Sequence, residues 1–278
     1  MIEVFDRATN TPGRVKLTPV EGQANTWDMV RADNPSHPGT PINRALFLSI
    51  SNDIEAMRQQ LDDKIFELTQ RVRVGDLTEG TEFGLYENGV LVPFIKIASS
   101  YMDVNAPLVI RKNCVVSAPL VDPGETYYDG CRTDRWLNTT YLAQLDAATQ
   151  SVIKNTNVET STYSGLGAIT RKIFLPSLYE YYMTSNTGIS IENNLIYYFS
   201  SPAKRVAMLN GSPVNHWTRS IDRYRDTAAY VTTSGEHEIV SSSLVSAGVR
   251  PMFMLPADFE VTVGIPKTAN TVATAEAI

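Results

Sequence analysis

The histidines and acidic residues of the chain are the side chains with which an enzymatic site would begin. Only three histidines occur among the 278 residues. His216, Ser220 and Asp222 contain the residue types of a hydrolase triad, but no Gly-x-Ser-x-Gly turn accompanies them. The histidines and the two cysteines follow no spacing that is typical of a zinc site. We therefore expect no catalytic residue, no metal and no cofactor.

A glycan-degrading activity would need two carboxylates that face each other across a groove. Acidic residues do lie close together in the C-terminal part of the sequence: Asp222, Asp226, Glu236 and Glu238. Carboxylates in such segments are usually solvated, and the sequence does not give their separation. A glycan-degrading enzyme therefore remains a third hypothesis, behind two hypotheses without catalysis.

The run of residues 214–226 favours binding. It holds two aromatic residues, three arginines and two aspartates, and Arg, Tyr and Trp dominate binding hot spots. Short polar side chains add adaptable hydrogen bonds. We expect a loop here, with residues 222–226 at the surface because a run this charged is not core. Trp217 is expected in the core, because a lone Trp buries most of its area, and Arg219 is expected to satisfy buried carbonyls. The predicted receptor-contact residues are Asn210, Asn215, His216, Asp222, Arg223, Tyr224, Arg225, Asp226 and Tyr230.

One helix, predicted for residues 44–73, carries a narrow apolar stripe with charged flanks. Steps of three and four residues separate its apolar positions, with one interruption after Leu61 that a coiled-coil stutter would give. A coiled coil is favoured over an amphipathic helix on the protein's own core. The predicted seam is Leu46, Ile50, Ile54, Met57, Leu61, Ile65 and Leu68.

The residues after Gly75 predict an α+β domain of short strands and few helices. Asn88-Gly89 between two apolar runs is the strongest hairpin signal. Further strands are expected at 108–116, 169–174, 195–199, 228–233, 238–240 and 252–255, with helices at 141–153 and 177–183.

Composition limits the partners. The net charge is −6 and no basic stripe stands out, which argues against nucleic acid. No segment predicts a secretory signal or a membrane span, so we expect folding in a cytoplasm without membrane insertion. Cys114 and Cys131 are then expected to be thiols rather than a disulfide.

Several motifs resemble, in order, a domain family that is widespread in gut bacteria and their phages. Trp217-Thr-Arg-Ser220 and Gly248-Val-Arg-Pro251 resemble its W-x-R-S and G-V-R-P ending. Upstream, residues 75–97 resemble its opening hairpin, residues 128–142 its central element, and residues 172–180 a strand and turn. The resemblance covers residues 75–255 and implies a variant of the C-type lectin fold.

The same resemblance implies roles for residues. It implies that the two motifs hold the binding loop as a scaffold, namely Trp217, Arg219, Ser220, Gly248, Arg250 and Pro251. It also implies that loops near residues 210–230 form a variable surface of the kind that diversity-generating retroelements randomise. The calcium-binding signatures of lectins are missing, so calcium-dependent sugar binding is not expected. Both cysteines precede Trp136, unlike the cysteine pair of the enzymes of this fold that make formylglycine.

The beginning of the chain resembles the beginnings of bacteriophage tail-fibre and tail-tip proteins, which are usually homotrimers. We therefore expect residues 1–43 to be an extended arm that attaches to other tail proteins, and residues 44–73 to form a trimeric coiled coil. Residues 74–265 would be a C-type-lectin-like receptor-binding head, and 266–278 a flexible or partner-ordered tail. The expected function is adhesion to a host surface polysaccharide or protein from the virion tail, after assembly in the host cytoplasm. A purely structural tail-tip or baseplate role is the alternative.

Overall fold

The structure, a computed structural model, describes residues 44–102, 104–162, 165–184, 189–222 and 226–264, with short stretches at 8–9, 15–19, 21–22, 27–31 and 35–37. The chain divides into two compact units, Met1–Phe66 and Glu67–Ile278. The predicted tail at 266–278 lies outside the described residues.

The first unit contains short strands followed by a long helix. The strands are β1 (Ala8–Thr9), β2 (Val15–Pro19), β3 (Trp27–Arg31) and β4 (Pro35–His37). β1 pairs with β4, and β2 pairs with β3, both in antiparallel orientation. Pairing between near neighbours in sequence fits the short, Pro- and Gly-rich segments of the predicted arm. Attachment to a virion through these residues stays a prediction.

Helix α1 spans Arg44–Thr69, a stretch without glycine or proline. The predicted end at residue 73 is wrong, because Arg71–Arg73 forms strand β5 and bonds to a strand near the C-terminus. Five seam side chains are described, and each is at least 40% exposed in the single chain: Ile50, Ile54, Met57, Leu61 and Ile65. The side chains of Leu46 and Leu68 lie outside the description. The helix thus presents an uncovered apolar stripe, while its oligomeric state stays a prediction.

The second unit is mixed α and β, mostly β-sheet with few helices. After β5, its strands up to the first helix are β6 (Glu82–Glu87), β7 (Val90–Ala98), β8 (Leu108–Arg111) and β9 (Ser117–Ala118). Three short helices follow, α2 (Arg132–Trp136), α3 (Leu142–Gln144) and α4 (Ala147–Val152), with a π-helical turn at Leu137–Tyr141. Then come β10 (Thr156–Thr162), β11 (Gly165–Arg171), β12 (Ile173–Phe174) and α5 (Pro202–Arg205). The remaining strands are β13 (Ala207–Leu209), β14 (Ser212–Val214), β15 (His216–Asp222), β16 (Thr227–Val231), β17 (His237–Ser241), β18 (Ala247–Gly248), β19 (Met252–Met254) and β20 (Glu260–Val263).

Two sheets organise these strands. The larger has seven strands in the order β12-β19-β8-β7-β6-β20-β5, so the two ends of the unit's sequence meet in one sheet. The smaller has five strands in the order β17-β16-β15-β18-β9. Two separate hairpins, β10–β11 and β13–β14, complete the described strands of this unit. Short strands with helices gathered between them agree with the predicted α+β class.

The hairpin signal at Asn88-Gly89 is confirmed. Both residues have positive φ, 49° and 77°, as a type I′ turn requires, and β6 pairs with β7 around them. Other expected elements differ. The single helix expected at 141–153 is divided into α3 and α4, because Leu145 forms a bridge with Glu87 and Asp146 caps α4. Residues 195–199 were expected as a strand, but Tyr197–Ser200 is a 3₁₀ turn. The expected helix at 177–183 is a set of turns, in which Glu180 accepts hydrogen bonds from the backbone N–H of Ser177 in the same turn and from the side chain of Arg219 on β15.

The core comprises two apolar clusters around these sheets. One includes Phe83, Phe94 and Phe253, whose rings lie 5.5–6.3 Å apart in neighbouring pairs, together with Trp217. The other includes Tyr181 and Phe199, with ring centroids 4.5 Å apart. Strand β16 contributes side chains to both clusters, because alternate side chains of a strand point to opposite faces of the sheet. The strand next to it, β15, is therefore held between packed layers.

Candidate functional site

Strand β15 carries the Trp-Thr-Arg-Ser motif, and all seven of its residues are buried. It was expected to be a polar loop, and this expectation is wrong. The strand contains a bulge, because Trp217 pairs with Tyr230 while Ile221 pairs with Ala228. The bulge turns the backbone N–H of Arg219 away from β16, so that it donates to the carbonyl of Pro176 at 3.0 Å. A polar sequence without alternation can thus be a buried strand when each polar group has a partner.

Arg219 is the centre of a buried polar network. Its guanidinium makes a bidentate ion pair with Glu180 at 2.7 and 2.9 Å, and neither side chain is exposed. It also donates to the carbonyls of Glu159 and Leu175, at 2.8 and 2.7 Å. Tyr101 donates to the same carboxylate of Glu180. Arg219 therefore ties several segments of the unit together, which confirms its predicted burial.

Ser220 is also occupied by this network. Its hydroxyl donates to Glu192 at 2.6 Å and accepts the backbone N–H of Leu178 at 2.9 Å. Burial raises the pKa of Glu192, against the opposing effect of Arg219. His216 instead lies 3.1 Å from the hydroxyl of Tyr181. The residue types of a hydrolase triad are thus present on β15, but Ser220 and His216 have different partners.

The Gly-Val-Arg-Pro motif packs beside β15. Gly248 pairs with His216, and a Cβ atom at position 248 would lie 2.5 Å from the sulfur of Cys114. Arg250 is buried and donates to the carbonyls of Arg111 and Arg205, at 3.0 and 3.2 Å. All six motif residues are buried: Trp217, Arg219, Ser220, Gly248, Arg250 and Pro251. Their role as the scaffold of a binding loop stays a prediction.

Both cysteines are buried free thiols, as predicted. Burial raises the pKa of Cys114 to about 12, with the charges of Arg250 and Arg111 opposing the rise. Burial likewise raises the pKa of Cys131 to about 12. Both groups are therefore protonated thiols at neutral pH, and reactive thiolate chemistry is disfavoured at these positions.

The predicted receptor-contact residues do not form one surface. Asn210 is exposed at the tip of the β13–β14 hairpin, and Asn215 follows that hairpin. Asp226 is exposed near the opposite end of β15, where it accepts hydrogen bonds from Ser242 and Ser243 at 2.6 and 2.7 Å. Strand rise places the two ends of β15 about 20 Å apart. One compact contact patch cannot include all of the predicted residues.

Three of these residues are buried, so their predicted place at a contact surface is wrong. His216 is fully buried, and burial together with the Arg250 charge lowers its pKa to about 3. Asp222 is 3% exposed at the end of β15. Tyr230 is 6% exposed, and its hydroxyl donates to Glu238 at 2.6 Å. Strand pairing between β15 and β16 takes all three away from solvent. Arg223, Tyr224 and Arg225 lie outside the described residues.

An open groove of about 810 Å³ lies at the Asn210 end of β15. This is within the roughly 300–1,000 Å³ typical of small-ligand sites. The β6–β7 hairpin, the end of β8, α5 and the β13–β14 hairpin border it. Its lining includes Glu82, Glu87, Asn88, Pro93, Arg111, Lys112, Asn113, Gln144, Tyr198, Lys204, Asn210 and Arg250. We call this space the β7–β13 groove.

The acidic residues of the β7–β13 groove are each paired with a cation. Glu87 is buried and accepts two hydrogen bonds from the Nε and one from the Nη2 of Arg111, at 2.9–3.1 Å. Tyr141 donates to the same carboxylate at 2.5 Å. At the rim, Glu82 pairs with Lys112 at 2.7 Å, and both are more than 40% exposed. A glycosidase uses two carboxylates that face each other across the cleft. Glu82 and Glu87 are instead each paired with a cation, which does not favour that chemistry.

The other lysine of the groove has an aromatic partner. The ammonium of Lys204 lies 5.0 Å from the ring centroid of Tyr198, within the range of a cation–π contact. The sequence identified two residues of the groove: Asn210, at the tip of the opposite hairpin, as a receptor contact, and Arg250 as part of the scaffold. The others were missed, because they come from segments more than a hundred residues apart. The Asn88-Gly89 hairpin signal marks one border of the groove, but it carries no functional information.

A second cavity of about 400 Å³ lies where β20 meets β6 and α4. Several of its polar residues make contacts that stabilise the fold. Asp146 caps α4 through the backbone N–H of Thr149 at 3.1 Å, and Arg71 lies 3.8 Å from Glu260. We regard this cavity as part of the packing between the strands and α4. Among the described residues, no cluster of metal-ligating side chains occurs, and no helix is long and apolar enough to cross a membrane.

Comparisons with known proteins give one match. A family model described as "Domain of unknown function (DUF6273)" matches residues 107–257, which is more than half of the chain. The matched part contains the Trp-Thr-Arg-Ser and Gly-Val-Arg-Pro motifs, together with α2 to α5 and β8 to β19. No curated protein and no solved structure matches the chain.

Proposed function

The chain belongs to the DUF6273 family, a domain of unknown function, and we propose that it is a bacteriophage tail-fibre or tail-tip adhesin that binds a host-surface receptor. The observation that carries this proposal is the difference between β15 and the hairpin before it. The motif side chains of β15 are buried and make contacts within the protein, whereas the β13–β14 hairpin exposes polar residues beside an open groove. A rigid scaffold with exposed polar loops at its edge is typical of binding proteins.

Residues 74–265 would then be a C-type-lectin-like head. The order of the family-like motifs along the chain supports this fold, as does a unit of mostly β-sheet with short helices. Two ends of β15 are available for contact. The groove end carries Asn210 and Asn215, and the other end lies near the exposed Asp226. A head of this kind has no need of catalytic residues.

The stalk of the adhesin would be α1 in a homotrimer. The five exposed seam side chains support association with further copies of the chain, because a soluble monomer gains nothing from such a stripe. Their three- and four-residue spacing is that of a coiled-coil seam. Residues 1–43 would attach the trimer to other tail proteins in a virion assembled in the host cytoplasm.

The test is binding of the fluorescently labelled full-length protein to intact bacteria from a panel of gut strains. We expect the wild type to bind at least one strain. We expect loss of binding in Asn210→Ala with Lys204→Ala, or in Arg223→Ala with Tyr224→Ala and Arg225→Ala, according to the end of β15 that makes the contact. The proposal fails if the wild type binds no strain, or if both variants bind as the wild type does.

A second candidate, a purely structural tail-tip or baseplate component, is favoured by apolar side chains exposed on the second unit. Ile191 is 62% exposed, Leu195 42% and Tyr197 75% within seven residues. A contact with another virion protein would cover them. Ile191→Ser with Leu195→Ser would then block assembly of the tail and leave binding of the purified protein to bacteria unchanged.

A further inference from the structure

The β7–β13 groove has a charge opposite in sign to that of the whole chain. Four of its residues are cationic, Arg111, Lys112, Lys204 and Arg250, whereas two are anionic, Glu82 and Glu87. The chain as a whole carries a net charge of −6. A locally positive cleft attracts anions, whereas the acidic surface around it repels them.

Two of the cations in the groove are not neutralised by a carboxylate of the described residues. Lys204 rests against the ring of Tyr198 at 5.0 Å, a contact that keeps its charge. Arg250 is buried, donates to two backbone carbonyls and lies over the ring of Phe199, 5.9 Å from the centroid. The positive charge of Arg250 also acts on Tyr198 in the groove wall. Burial raises the pKa of Tyr198, and the Arg250 charge opposes that rise.

The remaining lining suits a sugar more than a simple ion. Asn88, Asn113, Gln144 and Asn210 are amides, and each can both donate to and accept from hydroxyl groups. Pro93 and the Tyr198 ring give apolar surface on which a pyranose face can rest. A binding site for inorganic phosphate would be smaller and would gather cations around one point, because the ligand's four oxygens share a single phosphorus atom.

We infer that the β7–β13 groove binds an acidic oligosaccharide, with a carboxylate held by Lys204 and Lys112 and the neighbouring hydroxyls held by the amides. The inference rests on the proposed adhesin function and specifies its receptor class as a uronate-containing surface polysaccharide. It also selects one end of β15 as the contact, the end that carries Asn210.

The test is calorimetric titration of the full-length protein with trigalacturonate, with maltotriose as the neutral trisaccharide and inorganic phosphate as the anion without a sugar. We expect trigalacturonate to bind, and to bind more weakly as the NaCl concentration rises. Lys204→Gln should weaken it about tenfold, which is typical for loss of one charge-assisted hydrogen bond. Lys112→Gln should weaken it at least as much, because Glu82 then loses its partner and repels the ligand.

The matched control is Lys154→Gln, which removes the same charge between α4 and β10, outside the groove. It should bind trigalacturonate as the wild type does. Equal binding of maltotriose, or full competition by phosphate, overturns the acidic-oligosaccharide assignment. So does unchanged affinity in both groove variants.

The same variants separate this inference from the adhesin proposal. Normal binding of Lys204→Gln and Lys112→Gln to bacteria, without trigalacturonate binding by the wild type, overturns the groove assignment and leaves the adhesin proposal standing. Trigalacturonate binding that the groove variants weaken, in a protein that binds no bacterial strain, supports the groove and contradicts the adhesin.

Discussion

At the scale of single residues, the motifs that resemble a known family owe their identity to buried contacts. Replacing Arg219 by Lys would remove hydrogen bonds, because the planar guanidinium donates to both oxygens of Glu180 and also to two backbone carbonyls. Gly248 has no room for a side chain. These buried residues hold neighbouring segments of the second unit together, and their side chains are not exposed at its surface.

Arg219→Met is expected to lower the free energy of unfolding by about 3–5 kcal/mol, because it leaves the buried carboxylate of Glu180 unpaired. Adding Glu180→Gln should recover part of this loss, since the unpaired charge is then removed. Urea unfolding followed by Trp fluorescence measures both. A loss below about 1 kcal/mol in the single variant would mean that Glu180 is compensated by other groups.

Gly248→Ala is expected to destabilise the protein by about 1–3 kcal/mol, as overpacking of a core does. The new methyl group would lie 2.5 Å from the sulfur of Cys114. Cys114→Ala in the same chain removes that sulfur and should restore part of the stability, whereas Cys114→Ala alone serves as the control. Thermal unfolding gives the comparison, and an unchanged melting temperature in Gly248→Ala would contradict the close packing described here.

His216 predicts a dependence of stability on pH. Burial lowers its pKa from the ordinary 6.5 to about 3, so the folded state resists protonation that the unfolded state accepts. Its contribution is therefore complete above pH 6.5 and declines as the pH falls toward 3, by about 1.4 kcal/mol per pH unit. Between pH 7 and 5 the wild type should lose about 2 kcal/mol more than His216→Gln, as measured by urea unfolding at each pH. Equal losses would show that His216 is hydrated when folded.

At the scale of elements, α1 and β15 show opposite relations between sequence and structure. The stripe of α1 is periodic, so the helix was predictable, and only its last residues were misassigned when β5 joined the large sheet. Strand β15 has no alternation, and its polar side chains are satisfied by residues up to a hundred positions away. Such partners leave no local signal, so the strand was expected to be a loop.

The stripe of α1 leads to a prediction about assembly. We expect the wild type to be a trimer and Ile54→Asp with Leu61→Asp to be a monomer, because each helix of the variant would place two charges in the apolar seam. Light scattering coupled to size-exclusion chromatography gives the mass. Asn52→Asp with Gln60→Asp adds the same charge on other faces of α1 and should leave the trimer intact. A wild-type monomer would contradict the stalk assignment.

At the scale of the whole molecule, the class of the fold was accessible from composition and turn signals, while the candidate site was not. The α+β class and the Asn88-Gly89 hairpin followed from local pattern. The groove depends on how the β6–β7 hairpin, β8, α5 and β13–β14 meet, which only tertiary packing decides. The predicted contact set was therefore split between two ends of β15, and three of its members are buried.

The central claim is that the protein binds a bacterial surface ligand without altering it. The most direct measurement is retention of purified bacterial surface polysaccharides by the immobilised full-length protein, with the chain length of each polysaccharide determined before and after by size-exclusion chromatography. The account predicts that an acidic polysaccharide is retained, eluted by salt and recovered at its original length. Recovery of shortened chains, or no retention of any polysaccharide, would contradict it.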